Sequence, residues 1–313
     1  MPWFYALRRG WFCLLGWALA WALAAGAAFP AQELSTPVAA ELGQLRTLTD
    51  ARAYGAAREL VERLLPQVAN PSFDRALLLQ VQGQLFIAEA RYESALAPLQ
   101  LAVELGERDG CLEPATLLET LYLLGQLNAH LAAQAASGEL KQRYWAGAHQ
   151  AVSHWLARSP KPSVEVQLFA ASILYQQALL DPAHPDGPGL HAALKAAEAC
   201  LLLEVTPREA SYVMVLAIQQ QLGQREAAAD TLEWLVQAYP ANALSWQQLA
   251  GSYLALAADS TDSAKTARYH LRALLTLERA QALGYLTSES DRANASALRT
   301  ALNQSAVVTA LSF

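Results

Sequence analysis

The stretch EASYVMVLAIQQQLGQREAAADTLEWLVQAYPAN, residues 209–242, decides the fold. Nothing in it resembles a nucleophile or a metal ligand. Its apolar residues recur at helical spacing on either side of Gly223. Gly223 suits a left-handed cap that ends a first helix, and Pro240 cannot continue a second. Counting from Glu209 as position 1, Tyr212 is 4, Leu216 is 8, Ala228 is 20, Leu232 is 24 and Pro240 is 32. The next stretch starts at Ala243 and places Trp246 at 4, Leu249 at 7, Ala250 at 8 and Tyr253 at 11. A period of 34 residues is therefore present.

Each residue type has a physical task. A small residue at positions 8 and 20 lets two helices of a pair cross closely, and large apolar residues at 4, 7, 11 and 24 fill the space around the crossing. Residues 76–109 fit the same frame, with Gly83, Phe86, Tyr92, Ala95, Leu99 and Ala102 at 8, 11, 17, 20, 24 and 27. Before them, 50–65 reads as a second helix and Val38 to Leu48 as its partner. The pattern resembles the tetratricopeptide repeat, W-x2-L-G-x2-Y followed by A-x3-F and P. The expected fold is an all-α, tetratricopeptide-type α-solenoid of five to six helix pairs over 38–286. A capping helix at 288–304, started by Ser288 or Ser290, would close it. Residues 305–313 carry no pattern.

Three units space their small residues differently. Gly125 to Ala148 and Ala250 to Ala273 are 23 residues apart and Ala171 to Ala193 is 22, where the repeat has 12. The surplus is about three helical turns. Residues 126–147 suggest two lengthened helices. Residues 181–189, DPAHPDGPG, read as a protruding loop, and 258–264, ADSTDSA, as loop-like.

The chain has 313 residues, 54% hydrophobic and 16% charged, enough for a folded core. Its net charge of -6 argues against nucleic-acid partners, which require a basic face. Residues 1–28 have the form of a secretory signal peptide: Arg8 and Arg9, an apolar run, and Ala25-Gly26-Ala27 or Gly26-Ala27-Ala28 before a cleavage point. The 20 residues from Gly10 to Phe29 are also long enough for an uncleaved inner-membrane anchor. Either form exports the remainder, so a periplasmic location is expected. The residues flanking the Arg pair fit twin-arginine export poorly, and Cys13 lies in no lipobox. Export would permit a Cys111–Cys200 disulfide, although buried free thiols are the commoner state in helical proteins.

Three segments carry a narrower resemblance: LQVQGQLFIAEARYESALAPLQLAVELG, residues 209–256, and ALLTLERAQALGYL. They resemble exported, alanine-rich tetratricopeptide proteins found with TonB–ExbB–ExbD energy-transduction systems, over roughly Ala39 to Leu286. The resemblance implies a non-enzymatic accessory that binds a periplasmic segment of a TonB, ExbB or ExbD component. It implies no cofactor and no small-molecule substrate.

Two other readings compete. One is a periplasmic scaffold for envelope or outer-membrane assembly. The other is an enzyme or metal protein using Asp181, His184, Asp186 and His191, which crowd one Pro/Gly-rich stretch. There is no HExxH, GxSxG or P-loop, and the carboxylates in 204–226 are spread out, with no pair suited to acid–base work. The candidate site is the face that first helices turn inward in such solenoids. It collects Glu119, Tyr122, Gln126, His130, Tyr175, Gln176, Gln220, Gln221 and Gln247, amides and tyrosines suited to a peptide backbone. Trp234 lies off the core positions, as a partner contact or as packing on a neighbouring unit.

Overall fold

The computed structural model describes residues 34–180 and 187–304. Residues 1–28, 181–186 and 305–313, with the expected leader or anchor, most of the expected loop and the tail, lie outside the described residues. Every element among the described residues is a helix. The chain divides into two compact units, the first ending at Pro160 and the second beginning at Lys161.

The first unit holds three helix pairs: α1 (Thr36–Asp50) with α2 (Tyr54–Leu64), α3 (Phe73–Ala88) with α4 (Tyr92–Asp109), and α5 (Pro114–Gln134) with α6 (Gly138–Arg158). The second holds α7 (Val164–Leu179) with α8 (Pro188–Leu201), α9 (Glu209–Gln221) with α10 (Arg225–Ala238), and α11 (Ala243–Asp259) with α12 (Ser263–Ala282), then α13 (Glu289–Gln304). In each unit the second helix of a pair also packs on the first helix of the next, the stacking of a tetratricopeptide-type α-solenoid.

The small residues sit at the crossings. Ala95, Ala148, Ala171, Ala193 and Ala273 have no exposed surface, and an added Cβ on Gly83 would run into Leu99. The large positions fill the cores. Leu99, Ala102, Leu105 and Leu121 anchor the first unit, and Tyr212, Leu232, Trp246, Leu249 and Tyr253 the second. Tyr253 is 1% exposed, and its hydroxyl donates to Glu233 of α10.

The turns follow local chemistry. Gly223 takes φ 67° between α9 and α10. Arg52 (φ 57°) and Ala90 (φ 59°) hold the same left-handed conformation between their helices, without glycine's freedom. Ser72, Ser137 and Ser163 cap α3, α6 and α7 by accepting backbone N–H groups of the first turn. Of the two candidate caps for α13 it is Ser288 that accepts, from the N–H of Asp291 at 3.1 Å.

The surplus in the long-spaced units resolves into helix. The pair α5 and α6 has 21 residues in each helix, joined by 135–137, as the proline-free text of 126–147 suggests. Three expectations need correction. Residues 258–264 are not a loop: α11 runs to Asp259, α12 starts at Ser263, and only 260–262 turn. Asp262 makes this possible, its carboxylate accepting the N–H groups of Ala264 at 2.8 Å and Lys265 at 3.3 Å. Pro188 and Gly189 belong to α8, where proline occupies a first-turn position whose N–H has no helical partner. Asp50 ends α1 rather than starting α2, because Arg52 reverses the chain.

Candidate functional site

On α5, Glu119, Tyr122, Gln126 and His130 recur at helical spacing on one face, opposite buried Leu117, Leu121, Leu124 and Leu127. Glu119 is exposed, while Tyr122, Gln126 and His130 are half-buried. The His130 ring lies edge-on to Tyr92 with centroids 4.5 Å apart, and its Nε2 is 3.0 Å from the amide of Gln134. Protein crowding around Glu119 pushes its carboxyl above the usual carboxylate range although the side chain reaches water.

In the second unit the first helices are tied at their N-termini. Arg208, which precedes α9, reaches Glu165 of α7 at 2.8 Å, and Asn242, which precedes α11, donates to Glu209 of α9 at 2.8 Å. Helices tied this way run side by side in the same direction. Tyr175 and Gln176 near the end of α7, and Gln220 and Gln221 at the end of α9, therefore share the C-terminal edge. Tyr175 and Gln176 are half-buried, and burial pushes the Tyr175 hydroxyl up. Gln220 and Gln221 are exposed. Gln247 is exposed near the start of α11, at the other edge, and its amide donates to Asp291 of α13 at 3.2 Å.

The sequence-derived set is thus distributed. Glu119, Tyr122, Gln126 and His130 belong to the first unit and the other five to the second. Sequence reasoning passed over the rest of the open face of α11, namely Leu244, Gln248, Gly251, Leu254 and Ala255. Its signal was available, since these residues recur at 3 and 4 opposite buried Trp246, Leu249, Ala250 and Tyr253. Trp234 of α10 is 63% exposed, so most of its ring is left to solvent.

The remaining chemistry-bearing side chains sit apart from these faces. Cys111 and Cys200 are free thiols, both buried, and burial pushes both upward. They do not form the bridge that export would allow. Asp181, His184 and Asp186 lie outside the described residues, and His191 is exposed on α8. Among the described residues, no group of three or more His, Cys, Asp or Glu is placed to hold a metal ion, and no helix is long and apolar enough to cross a membrane.

No protein-family model matches the chain, and no curated protein matches its sequence. Among solved structures, the chain is similar to the nuclear import adaptor Nro1 of S. pombe, at 14% identity and TM-score 0.49, over 84% of this chain and 98% of that one. It is similar to the C-terminal part of a TPR repeat-containing protein from Cytophaga hutchinsonii, at 12% identity and TM-score 0.48, over 82% and 91%. A tetratricopeptide repeat protein from Parabacteroides merdae is similar at 13% identity and TM-score 0.46, over 84% and 98%.

Proposed function

We propose that this protein is a non-enzymatic, periplasmic interaction scaffold that serves as an accessory to a TonB–ExbB–ExbD system. One observation carries the scaffold reading. First helices bury one face in the stack and leave the other open, lined by Gln, Tyr and small residues rather than by a reactive constellation. Side-chain amides and phenols hydrogen-bond peptide groups in either direction, which suits capture of a polypeptide segment. The leader-like or anchor-like text of residues 1–28 supports export. The wording of residues 209–256 and of the segment ending at Leu286 supports the TonB assignment.

Site-specific photocrosslinking in cells tests the whole reading. A crosslinker at Gln176 or Gln220 is expected to trap TonB, ExbB or ExbD through a periplasmic segment, identified by mass spectrometry. Repeated capture of outer-membrane assembly proteins would transfer the scaffold to that machinery. Absence of any protein adduct from both positions would reject a scaffold role for this face.

A further inference from the structure

Charge is segregated between the two helices of the last two pairs in the second unit, α9 with α10 and α11 with α12, while α8 carries only Lys195 and Glu198. The first helices α7, α9 and α11 carry one charged residue each: Glu165, Glu209 and Asp259. All three stand at helix ends and are engaged by neighbours, Glu165 by Arg208, Glu209 by Asn242 and Asp259 by Arg225. The second helices α10 and α12 carry four and five charged residues, among them exposed Arg225, Glu226, Asp230, Arg268 and Arg279. Both classes of helix reach water, so solvation alone does not explain the difference. A solvated helix face normally carries charge, as α10 and α12 do.

The open face of α11 illustrates what replaces charge. Leu244 is 59% exposed and Leu254 37% exposed, and between them lie Gln247, Gln248 and Gly251. An added Cβ on Gly251 would meet nothing within 4 Å, so this part of the face is open to solvent. On α9, half-buried Val213 and Ala217 lead to Gln220 and Gln221. Apolar and small surface alternates with side-chain amides, α9 and α11 carry no charge between their ends, and the carboxylate of Asp291 on α13, which accepts from Gln247, is buried.

Resting on the scaffold reading above, we propose that the first-helix face of the second unit binds an extended peptide segment without charged residues. The charge complement of a neutral face is a neutral ligand, because a buried unpaired charge on the ligand would lose its hydration without compensation. Extension follows from the glutamines. A helical ligand satisfies its own backbone, whereas an extended one has open N–H and C=O groups for amides such as Gln176, Gln220, Gln221 and Gln248 to bond. Its larger apolar side chains pack over Gly251 against the exposed Leu244 and Leu254.

A random 12-residue peptide library displayed on phage, selected on the immobilised full chain, tests this. The selected peptides are expected to contain an uncharged apolar run, and a synthetic representative to bind equally from about 0.05 to 0.5 M salt, since no ion pair is available to screen. Gly251→Glu, at a position with room for a side chain, is expected to weaken that peptide at least about tenfold, the cost of one charge facing an uncharged segment. Ala282→Glu, exposed near the end of α12, is expected to leave it unchanged. Peptides bearing a charge cluster, salt-sensitive and indifferent to Gly251→Glu, would overturn this inference and leave the scaffold reading standing. Peptides lost only with Ala282→Glu, or no selected peptide at all, would overturn both.

Discussion

Two glycines on first helices make opposite predictions for the same substitution. Gly83 lies on α3 and Gly251 on α11, and both are replaced by alanine. Alanine is favoured over glycine within a helix by about 0.8–1 kcal/mol, and this term is common to both sites. At Gly251 nothing lies within 4 Å of the new methyl, so the propensity term stands alone and stabilises by about 1 kcal/mol. At Gly83 the methyl would lie 2.6 Å from Cδ2 of Leu99 and 3.2 Å from Cδ1, and closer still to Cγ. Contacts between carbons are comfortable at about 3.5–4.0 Å. Leu99 is fully buried, and its branch point as well as its tips is in the way, so rotating one methyl does not relieve the overlap. Overpacking of this kind costs about 1–3 kcal/mol. Gly83→Ala is therefore expected to be neutral to destabilising by about 2 kcal/mol, about 1–3 kcal/mol worse than Gly251→Ala.

Urea unfolding followed by far-ultraviolet circular dichroism measures the two changes against the parent chain. Because stacked repeats open in parts, amide hydrogen exchange within α3 and α11 reads each site in its own unit. A double variant, Gly83→Ala with Leu99→Ala, isolates the contact, since the second change removes the obstructing side chain and the two effects then become strongly non-additive. If Gly83→Ala stabilises α3 as much as Gly251→Ala stabilises α11, the helices do not approach closely at position 8. The reading of small residues as crossing points would then be wrong.

Ala90→Gly is expected to stabilise the first unit by about 0.5–1 kcal/mol, because a left-handed L-residue costs about 1–2 kcal/mol and glycine's greater unfolded-state freedom offsets part of the gain; thermal unfolding of the variant reads it. Both buried thiols are expected to resist Ellman's reagent in the folded chain and to react on denaturation, giving two thiols in a chain cleaved after residue 28 and three where Cys13 is retained. The raised Glu119 carboxyl means the folded state holds its proton to higher pH than the unfolded state does. Stability from this group is thus present below the ordinary carboxylate range and is lost as pH rises through the raised value. Glu119→Gln is expected to flatten that part of the stability–pH curve, with a gain at neutral pH of no more than about 0.5 kcal/mol, because the side chain is exposed and screened.

The fold was legible because it rests on spacing between residues of extreme size. Gly83 with Ala95 and Ala171 with Ala193 mark crossings whatever lies between them, so pairs remained readable with a surplus of 10 or 11 residues. Where reading went astray, one residue type serves two purposes. Ser260, Asp262 and Ser263 look like loop text, yet Asp262 caps a helix, and a cap differs from a loop only in whether the following N–H groups point at it. Pro188 was similarly ambiguous, since proline both breaks helices and begins them. For the candidate site the type of surface was legible and its layout was not. Counting positions within a repeat tells which side a residue faces, but Gln221 and Gln247 stand at opposite ends of their helices. The charge segregation was open to view in residues 243–258, which contain no charged residue, and passes unnoticed only while each residue is judged singly.

The lengthened pair α5 and α6 shows why an insertion need not add a loop. Beyond the crossing at Gly125 and Ala148, the extra turns supply their own packing: Leu127, Leu131, Ala132 and Trp145 are buried. A second close approach appears at Gly147, where a Cβ would come within 2.6 Å of the side-chain oxygen of Asn128. Asn128 is itself buried, and its amide donates to the carbonyl of Leu124 at 2.8 Å, which fixes the side chain on the helix that carries it. A glycine opposite a buried, hydrogen-bonded amide sets interhelical distance as firmly as two small residues do. The same turns carry Gln126 and His130 outward on the first helix. Lengthening therefore extends the open face of the packed pair, whereas a loop of equal length would leave its backbone groups to water and present no fixed surface.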